Sequence, residues 1–255
     1  MSDRALSLAG QVVLVTGGSS GIGQAIALAC ASSGADVGIT YRANRAGADD
    51  TINGITALGR RSAARTLDLT SEGDIQALAP WMRDTFGHVD TWINNAGADI
   101  LTGDAATLTP LRRLDLLLTV DLRGTILASW EAVTLMQAQG RGSIINMSWD
   151  HVVSGMAGTN PQLFAAVKGG VLAFSKSLAR SVAPPIRVNV IAPGWIETSF
   201  GEGVEESVRR SVAESTPLRR WGTPDDVAGA AVYLASSAAG FLTGQTIMVG
   251  GGVVM

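Results

Sequence analysis

The chain has 255 residues, of which 46% are hydrophobic and 16% charged, so it carries apolar side chains enough for a sizeable core and too little charge for disorder. Lys and Arg total 19 against 22 Asp and Glu, a net charge of −3, which leaves no basic footprint for nucleic acid and no polybasic stretch for a membrane surface. The single cysteine, Cys30, excludes an internal disulfide or a thiolate zinc cluster, no apolar run approaches the ~18 residues of a bilayer span, and residues 1–10 lack a secretion-signal pattern, so the expectation is a cytoplasmic protein.

In chain order, residues 12–16, 37–41, 62–67, 89–94, 143–147, 186–191 and 245–249 are strand candidates, separated by Ala- and Leu-rich stretches of helical length. That alternation predicts an α/β fold, a doubly wound parallel sheet of about seven strands with helices on both faces. No linker, repeat or charge block divides the chain, and residues 1–255 read as one domain. Gly34 and Gly59 stand where C′ glycines would close the first two helices, while Asn160-Pro161 and Thr223-Pro224 read as an N-cap followed by proline at N1. Pro80, inside the third helical stretch, predicts a kink or break there.

The first strand runs into Gly17-Gly18-Ser19-Ser20-Gly21-Ile22-Gly23 and then a helix over 24–33, the strand, glycine turn and helix on which a Rossmann-type domain holds a dinucleotide pyrophosphate. Gly17 permits the tight turn, Gly21 lets backbone approach phosphate, Gly23 lets helix meet strand, and the helix N-terminus offers N–H groups to the anion. About twenty residues on, where an acid would bind the ribose of NAD, stands Arg42, with Arg45 nearby. Asp36 lies at the wrong end of that strand, so the expectation is NADP(H) over NAD(H).

The glycine pattern, with Asn94-Asn95-Ala96-Gly97, Pro193-Gly194 and Leu242-Thr243-Gly244-Gln245, resembles the short-chain dehydrogenase/reductase family over nearly the whole chain. Residues 217–227 are similar to the branch of bacterial 3-oxoacyl-carrier-protein reductases and glucose dehydrogenases. The resemblance implies that Asp68 and its neighbour Leu69 meet the adenine, and that Asn94, Ala96 and Gly97 line the cofactor cleft. It places Pro193 and Gly194 beside that cleft, with Ile196 and Thr198 on the carboxamide. It also implies a homotetramer built through helices around 111–139 and 164–182. An Asx turn at Asp68 and a plain strand-end turn at Asn94-Asn95 are the structural alternatives.

The family's chemistry requires a Tyr four residues before a Lys, a Ser after the fifth strand and an Asn in the central helix. Here Lys168, which by the resemblance can still bond the nicotinamide ribose, is preceded by Phe164, which has no proton to exchange; the same resemblance places Trp149 at the Ser position and Asp121 at the Asn position. Ser148 falls one residue early, and strand alternation points it away from the cleft unless a bulge re-aims it. Trp149 reads either as a stacking surface or as a filler of the vacated volume. Candidates for the missing acid are His151, Asp150, which could also orient it, and Asp121, which could pair with Lys168; His88 reads as structural and Asp99 as solvated. Tyr41 and Tyr233 are the only tyrosines. The leading reading is an atypical NADP(H)-dependent oxidoreductase of an unidentified carbonyl or alcohol. The alternatives are a non-catalytic NADP(H)-binding sensor or scaffold, or a non-redox enzyme using the same cleft. Trp149, Trp195, Met147 and Met156 hint at an apolar small-molecule substrate.

Overall fold

A computed structural model describes residues 6–198 and 204–255. The strands are β1 (Val12–Val15), β2 (Asp36–Tyr41), β3 (Ser62–Thr66), β4 (Thr91–Asn94), β5 (Gly142–Met147), β6 (Ile186–Pro193) and β7 (Thr246–Val249). Helices α1 (Gly21–Ser32), α2 (Arg45–Ala57), α3 (Glu72–Gln76), α4 (Leu78–Phe86), α5 (Pro110–Leu117), α6 (Gly124–Gln139), α7 (Thr159–Val182), α8 (Glu206–Ser215) and α9 (Pro224–Ala235) connect or flank them. All neighbouring strands pair in parallel, in the order β3-β2-β1-β4-β5-β6-β7. The order reverses between β1 and β4, so the loops leaving these two strands diverge and open a crevice at the carboxyl edge of the sheet.

Both faces of the sheet are buried, which is why the strands read as near-continuous apolar runs. Alternate residues feed separate cores. Val13 and Val15 pack with Ile26 of α1, Ile55 of α2 and Val227 of α9, whereas Val12 and Leu14 pack with Met82 of α4, Met136 of α6 and Leu178 of α7. Fully buried Trp92 adds a polar anchor, its Nε1 donating to Asn94 Oδ1 at 2.9 Å.

Local chemistry sets most element ends. Gly34 (φ +104°) and Gly59 (φ +73°) close α1 and α2 in conformations that side chains resist. Thr223 caps α9 with Pro224 at N1, and Asp226 reaches back to the Thr223 N–H at 2.7 Å in a capping box. The helix carrying Pro80 is broken at Ala77, because a proline at 80 can neither donate to Gln76 nor tolerate its carbonyl in helical register. Asn160 corrects the expectation for α7: the N-cap is Gly158 (φ +122°), which puts Asn160 and Pro161 inside the first turn. Proline is tolerated there because those N–H groups have no helical partner, and Asn160 instead accepts from Arg113 Nη1 at 2.8 Å. Between α5 and α6 the helix widens into a π-turn over Leu118–Arg123, which carries Asp121.

Candidate active site

Two adjoining clefts lie at the carboxyl edge. The first, about 510 Å³, is bounded by the ends of β1 to β4. Its floor is the glycine turn. Gly17 (φ +69°) would press a Cβ to 3.0 Å from Ala96 Cα, and at Gly23 a Cβ would fall 2.1 Å from the Gly17 carbonyl. Gly21 (φ +52°) continues the turn into α1. Ser20, the N-cap of α1, makes no side-chain cap bond, so the first-turn N–H groups are left for an anion, and Ser19, Ser20 and Ile22 line the cleft beside them.

Arg42 is exposed on this cleft's rim, but Arg45 pairs with Asp49 at 3.6 Å on its own helix and does not line it. Asp68 and Leu69 form the opposite rim. Asp68 adopts the Asx turn: the backbone N–H and hydroxyl of Thr70 both donate to it, at 2.8 and 2.7 Å, and these bonds, helped by the Arg42 charge, hold its carboxyl below the usual carboxylate range. Asp99 is exposed but also lines this cleft, accepting from the Leu101 and Thr102 N–H groups.

Ala96 and Gly97 line the cleft, but Asn94 does not, contrary to the expectation for it. Strand alternation turns its side chain under the sheet, where it donates to Ser129 Oγ (3.0 Å) and Asn146 Oδ1 (2.8 Å). Its neighbour Asn95 takes the cleft position and ties β4 to β1 by donating to the Thr16 and Gly17 carbonyls at 3.0 and 3.3 Å. The doubled asparagine signals the turn without saying which member faces outward.

The second cleft, about 470 Å³, adjoins the first, since Ile22, Asn95 and Thr198 line both. Its walls come from the end of β5 (Met147, Ser148, Trp149), from α7 (Phe164, Lys168) and from the loop after β6 (Pro193 to Ile196). Lys168 is the one titratable side chain among the described residues lining it. Its Nζ lies 2.9 Å from Asp121 Oδ2 and 3.5 Å from the Met147 carbonyl. Asp121, 2% exposed, also accepts from the Ala98 N–H at 2.7 Å through Oδ1. Gly97 makes this possible, because a Cβ there would sit 2.8 Å from Asp121 Oδ2.

Ser148 is 6% exposed and its hydroxyl donates to the Lys168 carbonyl at 2.9 Å, toward α7 as alternation requires. Trp149 meets the ring of Phe164, one turn before Lys168 on α7, at 6.2 Å, tilted 59°. Beneath it the His151 imidazole stacks at 5.0 Å. The structure does not bring His151 or Asp150 to the cleft as proton donors. Asp150 is wholly buried, His151 is 9% exposed, and their Oδ1 and Nδ1 atoms are 2.6 Å apart. Asp150 is held inward because Gly194 and Gly250 leave it room; Cβ atoms on these glycines would lie 2.5 and 2.2 Å from its Oδ2. Its remaining oxygen has no hydrogen-bond partner among the described residues. His88, at 3.0 Å from Asp90, belongs to neither cleft. Tyr41 edges the first cleft, and Tyr233 packs against the core through α9.

Of the other cleft residues, Leu101 carries no sequence signal, Asn160 is legible only as a helix-start residue, and Met156, 40% exposed at the rim, is one of the apolar residues that the sequence singles out. They meet only because the loop after β4, the turn after β5 and the start of α7 converge.

A family profile described as enoyl-(acyl carrier protein) reductase matches residues 1–254. The chain is 35% identical over 253 residues to a 3-oxoacyl-acyl-carrier-protein reductase of Synechocystis, covering 98% of this chain and 99% of that one. It is 36% identical over 253 residues to the 2-dehydro-3-deoxy-D-gluconate 5-dehydrogenase of Escherichia coli, covering 97% of each. Among solved structures, a 7 alpha-hydroxysteroid dehydrogenase complexed with NADH and 7-oxo glycochenodeoxycholic acid superposes with a TM-score of 0.91 at 29% identity, over 100% of this chain and 98% of that one. An NADPH-dependent 3-quinuclidinone reductase from Rhodotorula rubra gives 0.89 at 27%, over 98% and 94%. With the dinucleotide crevice, the glycine turn and these full-length matches in agreement, the chain belongs to the short-chain dehydrogenase/reductase family of nicotinamide-dependent oxidoreductases.

Proposed function

We propose that this protein is an NADP(H)-dependent oxidoreductase that interconverts a carbonyl compound and its alcohol without the family's Ser/Tyr pair. The observation that carries the reading is the Lys168–Asp121 pair, which lies at the second cleft with a phenyl ring, Phe164, one helical turn before the lysine. A nicotinamide cofactor, when bound, would supply or accept the hydride. The chain's part is binding and proton handling. The glycine turn and the α1 N-terminus suit a pyrophosphate, and Arg42 supplies a charge for a 2′-phosphate.

Lys168 has three N–H donors, of which Asp121 and the Met147 carbonyl engage two. The third is available to a carbonyl oxygen. As hydride arrives at carbon, the C=O π pair moves to oxygen and takes a proton from Lys168 Nζ; solvent then returns a proton to the amine. Asp121 acts as a positioning residue, since its carboxylate holds the ammonium in place. This assigns to Lys168 the acid role first considered for His151 and Asp150, which are buried behind Trp149.

Exposed Leu111 on α5, Leu118 on the π-turn and Trp130 on α6, at 66%, 40% and 53%, support assembly through this stretch, in keeping with a homotetramer. The test is thermal unfolding with NADPH and NADH, followed by NADPH oxidation with a panel of ketones. We expect the larger stabilisation from NADPH and turnover that Lys168→Met abolishes. Stabilisation by neither nucleotide refutes the reading. Stabilisation without turnover favours a nucleotide-binding sensor, a second reading supported by the aromatic rings of Trp149 and Phe164 where the family needs polar groups.

A further inference from the structure

We infer that the second cleft takes a neutral, ring-bearing apolar carbonyl compound, and that Trp149 and Phe164 are its specificity-determining residues. This rests on the function proposed above and narrows its substrate. The two rings meet at 6.2 Å and 59°, forming an aromatic corner. Met147 and Ile196 continue the wall. The cleft of about 470 Å³ would hold such a ring compound together with the nicotinamide, whose carboxamide the family resemblance assigns to Ile196 and Thr198.

Charge excludes the main alternatives. Among the described residues the one cation lining the cleft, Lys168, is already matched by Asp121 at 2.9 Å, so a carboxylate placed there would meet an ion pair of no net charge. Arg113 offers no substitute. Its Nη1 donates to Asn160 and its Nη2 to the Ala106 carbonyl, which fixes the guanidinium outside the cleft lining. An anionic sugar acid would therefore bring a carboxylate with no unmatched cation to receive it, leaving only neutral polar groups such as Asn95, Asn160 and Thr198 and one Lys168 N–H for its oxygens. A planar apolar ring loses nothing in the same transfer and gains an edge or face contact with Trp149 and Phe164.

The corner is also braced. The His151 ring stacks on Trp149 at 5.0 Å, and Asp150 anchors that imidazole at 2.6 Å. The buried pair thus holds the indole orientation that a ligand would meet, although neither residue reaches the cleft.

The test is calorimetric titration of 6-methyl-1-tetralone and of its 6-carboxylate analogue, both with saturating NADP+ and without nucleotide. The neutral ketone should bind at least about tenfold more tightly than the carboxylate. Trp149→Ala and, separately, Phe164→Ala should each weaken the neutral ketone by about tenfold. NADPH affinity should stay within about twofold in either variant, which also reports that the variant is folded. Equal or tighter binding of the carboxylate, no binding of the neutral ketone at millimolar concentration, or unchanged ketone affinity in both variants overturns the inference. Failure of NADPH to bind the unmodified protein instead refutes the proposed function, and the nucleotide-free titration still decides the substrate class.

Discussion

Replacing Asp121 by Asn isolates the charge beneath the lysine. The amide oxygen still accepts from the Ala98 N–H now bonded at 2.7 Å, but Lys168, its side chain 13% exposed, loses the carboxylate 2.9 Å away. Removing one partner of a buried ion pair costs about 3–5 kcal/mol, and the residual exposure of Lys168 places the expectation at the low end, about 3 kcal/mol. For a chain of this size that is a fall in Tm of about 6–12 °C. Lys168→Met should cost a similar amount, since it strands a carboxylate that is 2% exposed. The double variant should be less destabilised than the sum of the singles, because no unpaired charge remains. Urea unfolding of all four proteins gives the coupling as a double-mutant cycle. A coupling below about 0.5 kcal/mol would show that the two groups do not form the pair on which the mechanism depends.

Three further outcomes follow from other parts of the site and fold. Phe164→Tyr with Trp149→Ser should confer generic ketoreductase activity, a gain of about 10²-fold or more in NADPH oxidation with simple ketones, if the cleft otherwise retains its shape; no gain in a variant that binds NADPH would mean that the pocket itself is remodelled. Arg42→Ala should weaken NADPH by about tenfold and leave NADH nearly unchanged, measured by fluorescence titration, and an equal loss for both would remove Arg42 from 2′-phosphate recognition. Asp226 is held below the usual carboxylate range by hydrogen bonds from the Arg220 guanidinium and then from the Thr223 N–H. Its folded pKa lies below the unfolded value of about 3.9, so its contribution, about 1 kcal/mol for this capping box, is full above that pH and is lost as pH falls through the folded value. Asp226→Asn should therefore be less stable at neutral pH and converge on the parent in acid; a gap that persists in strong acid would contradict the cause assigned.

The elements and their order were legible because their signals are local. Strand periodicity, the glycines at 34 and 59, Thr223-Pro224 and Pro80 each act within one or two turns of chain, and the structure places all seven strands and the helix break where those residues predict. The glycine turn was legible for the same reason. At Asn160 a local signal misled, since proline is accepted at several first-turn positions and Gly158 provided an earlier entry.

Side-chain direction and burial were harder to read. Alternation predicted Ser148 turned away from the cleft; its hydroxyl is engaged by the Lys168 carbonyl, yet the residue still lines the second cleft because α7 is that cleft's wall. The same rule applied to Asn94 would have sent it beneath the sheet, but the cleft was assigned there through resemblance. Asp150 and His151 follow β5 and looked like rim residues. The burial of Asp150 depends on Gly194 and Gly250, which reach it only after β6 and β7 have joined the sheet, and His151 follows through its 2.6 Å contact with that carboxylate.

Residue order along the chain thus settles the parallel architecture, the dinucleotide turn and the phenyl group before Lys168, because each is a property of neighbouring residues. Which acid meets that lysine, which histidine is withdrawn from solvent and which rings form the corner are set by packing, where a π-turn, three converging loops and the absence of two Cβ atoms bring distant segments within hydrogen-bonding distance.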